Sequence, residues 1–484
     1  MNVRLNQSFI GSNLAQFTKE QPQDPLIFYA NEWTSRGRFF DEVGKRIMYL
    51  SAEMPPKPKV ALDLSSPLDL LFWFFSVCIS GGEAHVLAPE WPSKIKADAI
   101  EKSGAHIVID DEKNSQLMLR PSFSSSFELT QFLANVTPES TFYVGYTSGS
   151  TSFPKAYRRT HRSWLKSFEA ETNEFAINSS DVIVAFSPLS HSLGLYAAVR
   201  AIHLGSKLVL FSKFDPKRAL HIMKFTQANV CYAAPSHLKL IESLNAEEIV
   251  SVRLVLSSGA KWYGSERRLL KIFPRAEFAE FYGTSELSFV SVRRQSDEAP
   301  LHSVGRPFPG VRVTVQNENG AVLPPGEKGR LFVESPFLFE GYLGEGSTLY
   351  KSGCMISVGD IGWIDENGFI FLEGRENRMI VTAGKNVFPE ALEACLLEHP
   401  SVEHALVLGI RDEVRGAILV AFILPKLGHA PKAQELKSHL AKTTPRAVIP
   451  KYFVQPFQWR STRSGKVDAD ALFKDFHEKQ FRYL

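Results

Sequence analysis

The stretch Tyr146-Thr-Ser-Gly-Ser-Thr-Ser-Phe-Pro-Lys155 follows a β-rich run, Thr141 to Tyr146. A strand that ends in this loop offers hydroxyls from Thr147, Ser148, Ser150 and Thr151. Gly149 allows close backbone approach, and Lys155 adds a positive charge. Hydroxyls, backbone N–H groups and one cation are what a polyphosphate needs. The GxxxxGK[ST] spacing is absent, so this is not a Walker A loop. A flexible Ser/Gly surface loop is the competing reading of the stretch taken alone.

On both sides of the loop, short β-rich runs alternate with helical stretches. Val60–Leu64, Ala84–Leu87, Ala105–Ile109, Thr141–Tyr146, Val182–Phe186, Val252–Leu256 and Glu277–Tyr282 read as strands. Leu68–Ser80, Pro92–Ser103, Ser163–Phe175 and Gly264–Ile272 read as helices. The alternation predicts an α/β fold of mostly parallel sheets flanked by helices. After about His302 the character changes. Val311–Val315 and Gly329–Val333 are short strands among Gly310, Gly320, Pro324, Pro325 and Gly326, which reads as a small β subdomain over about 303–374. A second break lies near Gly374 to Asn377. Beyond it, Phe388–Glu398 and Pro431–Lys442 read as helices, and Val402–Leu408 and Ala417–Leu424 as strands. The predicted division is therefore a large domain, 1–374, and a small α+β domain, 375–484, of a size that folds alone.

Composition bounds the function. The 484 residues are 44% hydrophobic and 22% charged, with a net charge of +3. That is ordinary globular composition; it excludes a collagen, a disordered tail and a coiled coil. It gives no electrostatic case for a nucleic-acid partner. Cys78, Cys231, Cys354 and Cys395 form no CxxC pair, so reduced, mostly buried thiols are expected. Met1 to Asp24 holds no long apolar run, and Leu70–Ile79 is too short to cross a bilayer. A soluble cytoplasmic protein with no integral membrane segment is expected.

Four further segments carry chemistry, each with an ordinary alternative. In Tyr282-Gly283-Thr-Ser285-Glu286 a carboxylate sits just past a strand end, which suits a metal ligand; the alternative is a helix capped by Ser285. In Val358-Gly-Asp360 a carboxylate could accept two hydroxyl donors, or mark a Gly-Asp turn. Gly374-Arg375 with Gly384-Lys-Asn-Val-Phe-Pro389 could be a plain linker. Ser461-Thr-Arg-Ser-Gly-Lys466 places an ammonium on a polar loop, where a solvated lysine is the alternative.

Their order and combination resemble the adenylate-forming (AMP-binding) superfamily: acyl-CoA synthetases, peptide-synthetase adenylation domains and beetle luciferases. The family's Y-T-S-G-(S/T)-T-G-x-P-K-G loop is similar to Tyr146–Ala156, and its Y-G-x-(T/S)-E segment to Tyr282–Glu286. Its T-G-D segment is similar to Ser357–Asp360, its G-R and G-x-N-V-x-P segments to Gly374–Arg375 and Gly384–Pro389, and its T-x-S-G-K to Thr462–Lys466. The likeness runs from about Trp33 to Leu472, and within the superfamily the chain resembles bacterial fatty acyl-CoA synthetases.

The resemblance implies two half-reactions. A carboxylate attacks the α-phosphate of ATP, and coenzyme A then displaces AMP from the acyl carbon. Thr147, Ser148, Gly149, Ser150, Thr151 and Lys155 would cradle the β- and γ-phosphates. Glu286 would hold Mg²⁺ and Ser285 would contact the α-phosphate. Ser258, Gly259 and Ala260 would pack on adenine, with Tyr282 and Gly283 opposite. Asp360 would hold the ribose, assisted by Arg375. Lys466 would bridge the two anions as they meet. Rotation about a hinge at Asn377 would remove Lys466 and bring the Gly384 segment to the pantetheine tunnel. Ser152 and Ala156 stand where the family has glycines, and Asn377-Arg378 where Asp or Lys and then Asp are usual.

Pro188-Leu-Ser-His191-Ser-Leu-Gly194 resembles the family's P-x-x-H-x-x-G segment at the acyl pocket. It contains no carboxylate to pair an amino acid's ammonium, which would be costly to bury alone. A simple acid is expected, with a medium- or long-chain fatty or aryl tail against Leu193–Val199, Cys231–Pro235, Trp262 and Leu287–Val290. His191 is either a pocket gate or a structural histidine at a helix start. CoA is the expected acceptor because no carrier domain follows Leu484. The alternatives are a stand-alone acyl-AMP ligase loading a carrier protein, and a non-catalytic nucleotide or acyl-AMP binder. A homodimer is compatible with all three.

Overall fold

The apolar run at 70–79 becomes the buried body of the helix Pro67–Ile79. Pro67 supplies a preset first turn, and Ser66 Oγ accepts from the Asp69 N–H at 3.3 Å. Every residue from Leu70 to Ile79 is buried, on one side against the helix Arg36–Glu53. The Trp73 indole N–H finds Asn114 Oδ1 at 2.8 Å, so this apolar helix leaves no indole donor stranded. Truncating a side chain such as Phe74 to Ala would cost about 3–5 kcal/mol.

The computed structural model describes residues 9–119, 136–147, 154–244, 246–259, 266–344, 349–382, 385–412, 416–461 and 467–484. The strand–helix alternation builds two sheets. The nine-stranded sheet runs Arg306–Pro307, Ser288–Arg294, Glu277–Thr284, Leu254–Ser257, Val230–Ala233, Val182–Ala185, Lys207–Val209, Pro25–Tyr29, Glu32–Ser35. The six-stranded sheet runs Gly341–Tyr342, Lys155–Thr160, Thr141–Thr147, Glu83–Val86, Lys59–Asp63, Ile107–Asp110. The interior pairs of both are parallel, as the alternation predicts. Their margins are antiparallel hairpins, Glu277–Thr284 with Ser288–Arg294 and Thr141–Thr147 with Lys155–Thr160.

A buried ion pair fixes the helices behind these sheets. Arg200 Nε lies 2.7 Å from Glu171 Oε2, both fully buried. Tyr196 and Tyr232 donate to the same carboxylate at 3.2 and 2.7 Å. This joins the helices His161–Phe175 and Ser192–Leu204 to the strand Val230–Ala233.

The chain forms two compact units, Met1–Val313 with Val333–Thr348, and Thr314–Phe332 with Leu349–Leu484. Of the β subdomain read at about 303–374, residues 314–332 and 349–374 group with the C-terminal residues in the second unit and 303–313 and 333–348 with the first, whereas the sequence division runs at 374/375. That unit holds a six-stranded sheet that includes Gly329–Glu334, Asp360–Ile364 and Ile370–Arg375. It also holds a four-stranded sheet, Val402–Asp412, Gly416–Pro425, Tyr452–Pro456 and Phe481–Tyr483. The four-stranded sheet buries Val407, Ala421 and Phe453 with Leu392, Leu396 and Leu436 on one face, and Val420 and Phe422 with Leu472 on the other.

None of the four cysteines is in a disulfide, and Cys78 and Cys231 are buried. Cys354 departs from the expected burial: it is exposed, in the turn between the paired strands Tyr350–Ser352 and Met355–Ser357. Among the described residues, no helix is long and apolar enough to cross a membrane.

Candidate active site

Thr147 ends one strand of the hairpin and Lys155 begins the other, directly opposite it. Thr147 Oγ1 donates to the Lys155 carbonyl at 3.5 Å. Ser148, Gly149, Ser150 and Thr151, and the variant Ser152, lie outside the described residues. The hairpin's inner face explains Gly145: a Cβ there would stand 2.2 Å from Tyr143 Oη and 2.3 Å from Tyr157 Oη. These two hydroxyls are hydrogen-bonded to each other at 3.0 Å, and burial pushes both phenols above their ordinary range.

Glu286 is placed by the second hairpin. Glu277–Thr284 turns at residues 285–287 into Ser288–Arg294. The helix cap considered for Ser285 does not form, because the chain returns as an antiparallel strand. Gly283 is required there: a Cβ would come within 2.0 Å of the Ser288 carbonyl oxygen. Thr284 Oγ1 accepts from the Leu287 N–H at 3.1 Å and tightens the turn. Ser285 and Glu286 therefore project just past the carboxyl end of a strand in a largely parallel sheet, where such folds bind ligands.

Glu286 is only 7% exposed and is braced from three directions. Tyr342 Oη donates to its Oε1 at 2.9 Å. Its backbone carbonyl accepts from the Phe339 N–H at 2.9 Å and from Arg159 Nη1 at 3.3 Å. Arg159 also reaches the Ser285 carbonyl at 3.5 Å. Burial lowers the Arg159 guanidinium to about 10, so it stays cationic at neutral pH. Lys155 Nζ stands 5.8 Å from the centroid of the Tyr342 ring. Motif spacing singled out neither Arg159 nor Tyr342. The one signal is Arg158-Arg159 inside a strand, where alternation must turn one of the two inward.

The segment expected to pack on adenine follows the neighbouring strand. Leu254–Ser257 pairs in parallel with Glu277–Thr284, so Ser258 and Gly259 emerge beside Tyr282. Gly259 has φ +96°, a region that favours glycine. Ala260 lies outside the described residues. His191 immediately precedes the helix Ser192–Leu204, and its N–H donates to the Pro188 carbonyl at 3.0 Å. Gly194 is required in this turn, since a Cβ would come 2.4 Å from the Ser187 carbonyl. His191 lies close enough to His237 to help burial lower that imidazole to about 4.

The second unit carries its own cluster. Asp360 faces Arg375 across an antiparallel pair, and Arg375 Nε donates to Asp360 Oδ1 at 3.0 Å. Asp360 is buried to 5% exposure. Gly359, at φ +90°, makes the turn, and its N–H donates to Ser357 Oγ at 3.2 Å; Asp360 itself begins the strand. Past Arg375 comes the short 3₁₀ turn Glu376–Arg378. Arg330 Nη2 holds Glu376 Oε1 at 2.8 Å. Arg378 pairs with Glu390 at 3.2 Å and Glu393 at 2.8 Å. Asn377 stands between the two fastenings. Gly384 and Lys466 lie outside the described residues.

Among the described residues, no three His, Cys, Asp or Glu side chains gather to hold a metal. A single buried carboxylate beside the hairpin that carries Lys155 nevertheless fits Mg²⁺, which binds through one or two carboxylates together with substrate phosphates.

Comparison with known proteins agrees with this geometry. Residues 14–343 match the model of the AMP-binding enzyme family, and residues 391–466 match the AMP-binding enzyme C-terminal domain. The chain is 34% identical over 453 residues to the uncharacterized acyl–CoA ligase YhfT of Bacillus subtilis, covering 91% of this chain and 92% of that one. It is 28% identical over 456 residues to the putative long chain fatty acid-CoA ligase VraA of Staphylococcus epidermidis, covering 94% and 95%. The fold is shared with ATP-bound MatB from Rhodopseudomonas palustris, at TM-score 0.82, 20% identity and coverage of 97% and 99%. It is shared also with the o-succinylbenzoate CoA synthetase MenE of Bacillus subtilis bound to an acyl-adenylate, at TM-score 0.82, 22% identity and coverage of 95% and 97%. With a family model matching most of its length, the chain belongs to the AMP-binding enzyme family.

Proposed function

We propose that the protein is an ATP-dependent carboxylic acid–CoA ligase acting on a medium- or long-chain fatty acid or an aryl acid. The observation that carries this reading is the buried, triply braced Glu286 at a strand end, with Lys155 across the Tyr342 ring. The similarity to the uncharacterized acyl–CoA ligase YhfT and the putative long chain fatty acid-CoA ligase VraA supports the acyl–CoA class. The lack of a carboxylate in His191–Gly194 favours a simple acid.

The chemistry proceeds by two displacements. An oxygen of the acid carboxylate forms a bond to the α-phosphorus, and the bond to the bridging oxygen breaks, releasing pyrophosphate. The sulfur of CoA then bonds to the acyl carbon, AMP leaves with the former carboxylate oxygen, and the thiol proton is released. A carboxylate is a poor electrophile; AMP makes it a good one. In this reading Thr147, Ser148, Gly149, Ser150, Thr151 and Lys155 hold the terminal phosphates. Ser285 contacts the α-phosphate. Ser258, Gly259, Ala260, Tyr282 and Gly283 hold adenine, and Asp360 with Arg375 the ribose. Lys466 offsets negative charge where the anions meet. Glu286 would hold Mg²⁺, which when bound neutralises the phosphate oxygens. His191 borders the acyl tail, and the turn at Asn377 is the hinge of a mobile 375–484 segment that carries Gly384. Cysteines outside any disulfide agree with a reducing, cytoplasmic setting.

The test is AMP and thioester formation across short, medium and long fatty acids, aryl acids and amino acids, each with and without CoA. Acyl-CoA and AMP formed one for one with a fatty or aryl acid is the expected result. ADP as product, or no AMP with any acid, would overturn the reading.

A further inference from the structure

The segment Phe337–Leu343 runs as a strap between the two hairpins of the site. The Phe339 N–H donates to the Glu286 carbonyl at 2.9 Å. Gly341 and Tyr342 then pair with Arg158 and Tyr157 as an extra edge strand. On either side, the Glu340 N–H donates to the Arg158 carbonyl at 3.0 Å and the Leu343 N–H to the Ala156 carbonyl at 2.9 Å. Glu340 adds side-chain contacts to Arg158, at 3.8 Å, and to Thr141. One short strap is thus fastened by its backbone both to the strand that begins with Lys155 and to the turn that holds Glu286.

Tyr342 is the residue on that strap that faces both functional groups. Its hydroxyl donates to Glu286 Oε1 at 2.9 Å. Its ring lies 5.8 Å from Lys155 Nζ, within cation–π range. A carboxylate that is to meet a cation and phosphates must present a fixed oxygen. Outer partners that hydrogen-bond a ligating group supply that orientation. One ring that also steadies the ammonium sets the distance between the group for the metal and the group for the terminal phosphates.

Resting on the ligase reading above, we propose that Tyr342 is a positioning residue for the metal–triphosphate complex. Its hydroxyl aims the Glu286 carboxylate and its ring seats Lys155. Glu286 and Lys155 touch the ligand; Tyr342 acts through them. The two functions separate by substitution. Tyr342→Phe removes the hydroxyl and keeps the ring. Tyr342→Ala removes both.

The test uses the full-length protein with Mn²⁺ and ATP, without acid or CoA, and reads bound Mn²⁺ by electron paramagnetic resonance. Tyr342→Phe should weaken Mn²⁺ binding in the ATP complex roughly tenfold. Its thermal midpoint should stay within about 2 °C of the parent. Tyr342→Ala should in addition weaken ATP binding at saturating Mn²⁺ several-fold. In a Glu286→Gln background, Tyr342→Phe should have no further effect on Mn²⁺ binding, which a purely structural role would not produce. An unchanged Mn²⁺ titration for Tyr342→Phe, or an equal loss in both backgrounds, would overturn the proposal while leaving the ligase reading intact. Failure of the parent protein to bind Mn²⁺ and ATP would overturn both.

Discussion

Glu286 and Glu376 are both carboxylates just past a strand end, and they differ in burial and in whether a cation pairs with the carboxylate. Glu286 is buried, its carbonyl locked by Phe339 and Arg159 and its carboxylate by a neutral hydroxyl. Glu376 is part-exposed and pairs at 2.8 Å with Arg330, whose guanidinium lies 3.7 Å from the centroid of the Tyr350 ring. The Tyr350 hydroxyl also bonds the Glu376 carboxylate, and the Glu376 N–H donates to the Gly359 carbonyl at 2.9 Å. Its neighbour Arg378 likewise rests on ion pairs, to Glu390 and Glu393. Partly exposed ion pairs contribute about 0–1 kcal/mol and weaken with salt. Buried hydrogen-bonded groups cost more to disturb, about 1–3 kcal/mol each. The first arrangement suits a site organised before charge develops; the second suits the hinge proposed at Asn377.

Glu286→Gln should break this comparison most severely. Loss of the carboxylate charge should cut adenylate formation by about 10²–10³-fold, the range of a preorganised electrostatic group. Glu376→Gln should change it by less than about threefold. ATP–pyrophosphate exchange measures both, and equal losses would erase the distinction.

Acid should strike the buried side. His161 Nδ1 accepts from the Ile10 N–H at 3.0 Å, and His203 Nδ1 accepts from the Gly11 N–H at 3.2 Å. Burial, aided by His203 beside His161 and by Arg200 beside His203, holds these imidazoles down to about 3 and about 4. Each is depressed below its unfolded value near 6.5. The unfolded chain therefore binds more protons below that pH, so stability is complete above it and falls as the pH drops toward the folded values. At pH 5 each histidine should cost about 2 kcal/mol. Denaturant unfolding between pH 7 and pH 5 checks this, and a flat profile would contradict it.

Asn377→Pro tests the other side. Proline fixes φ and removes an N–H. Thioester formation should fall at least about tenfold while adenylation stays within about twofold, as rapid-quench analysis would show; a hinge gates the second step without touching the first. Equal loss of both half-reactions would remove the hinge from Asn377. The smallest effect is expected of Arg330→Gln, at most about 1 kcal/mol of stability at low salt and none near 1 M salt. Persistence of the loss at high salt would mean that the latch is not electrostatic.

The two regions were unequally legible in the sequence. The α/β alternation was readable because burial on both faces gives continuous apolar strands such as Val182–Ala185, separated by helices with clear starts such as Pro67. The antiparallel margins were not, because a hairpin and a crossover can begin with the same strand. Nothing local separates a Ser285 helix cap from a tight turn; the decision comes from Gly283 meeting the Ser288 carbonyl. Motifs name Thr147, Lys155, Ser258, Tyr282, Glu286, Asp360 and Arg375; the first five lie in one compact unit and Asp360 with Arg375 in the other. The braces were invisible. Tyr342 lies 56 residues from Glu286 in sequence, and Arg159 lies 127 away. Contacts at such separations leave no periodicity to read. The phosphate-loop residues at 148–151, together with Ala260, Gly384 and Lys466, rest on sequence alone.

The central claim is that a carboxylate oxygen is transferred to the α-phosphate before the acyl group reaches sulfur. A single turnover with an accepted acid labelled with ¹⁸O in both carboxylate positions, ATP and CoA tests it directly, with mass analysis of the products. The account predicts one ¹⁸O in AMP, one in the acyl-CoA carbonyl and none in pyrophosphate. Label in inorganic phosphate, with ADP as the nucleotide product, would contradict it.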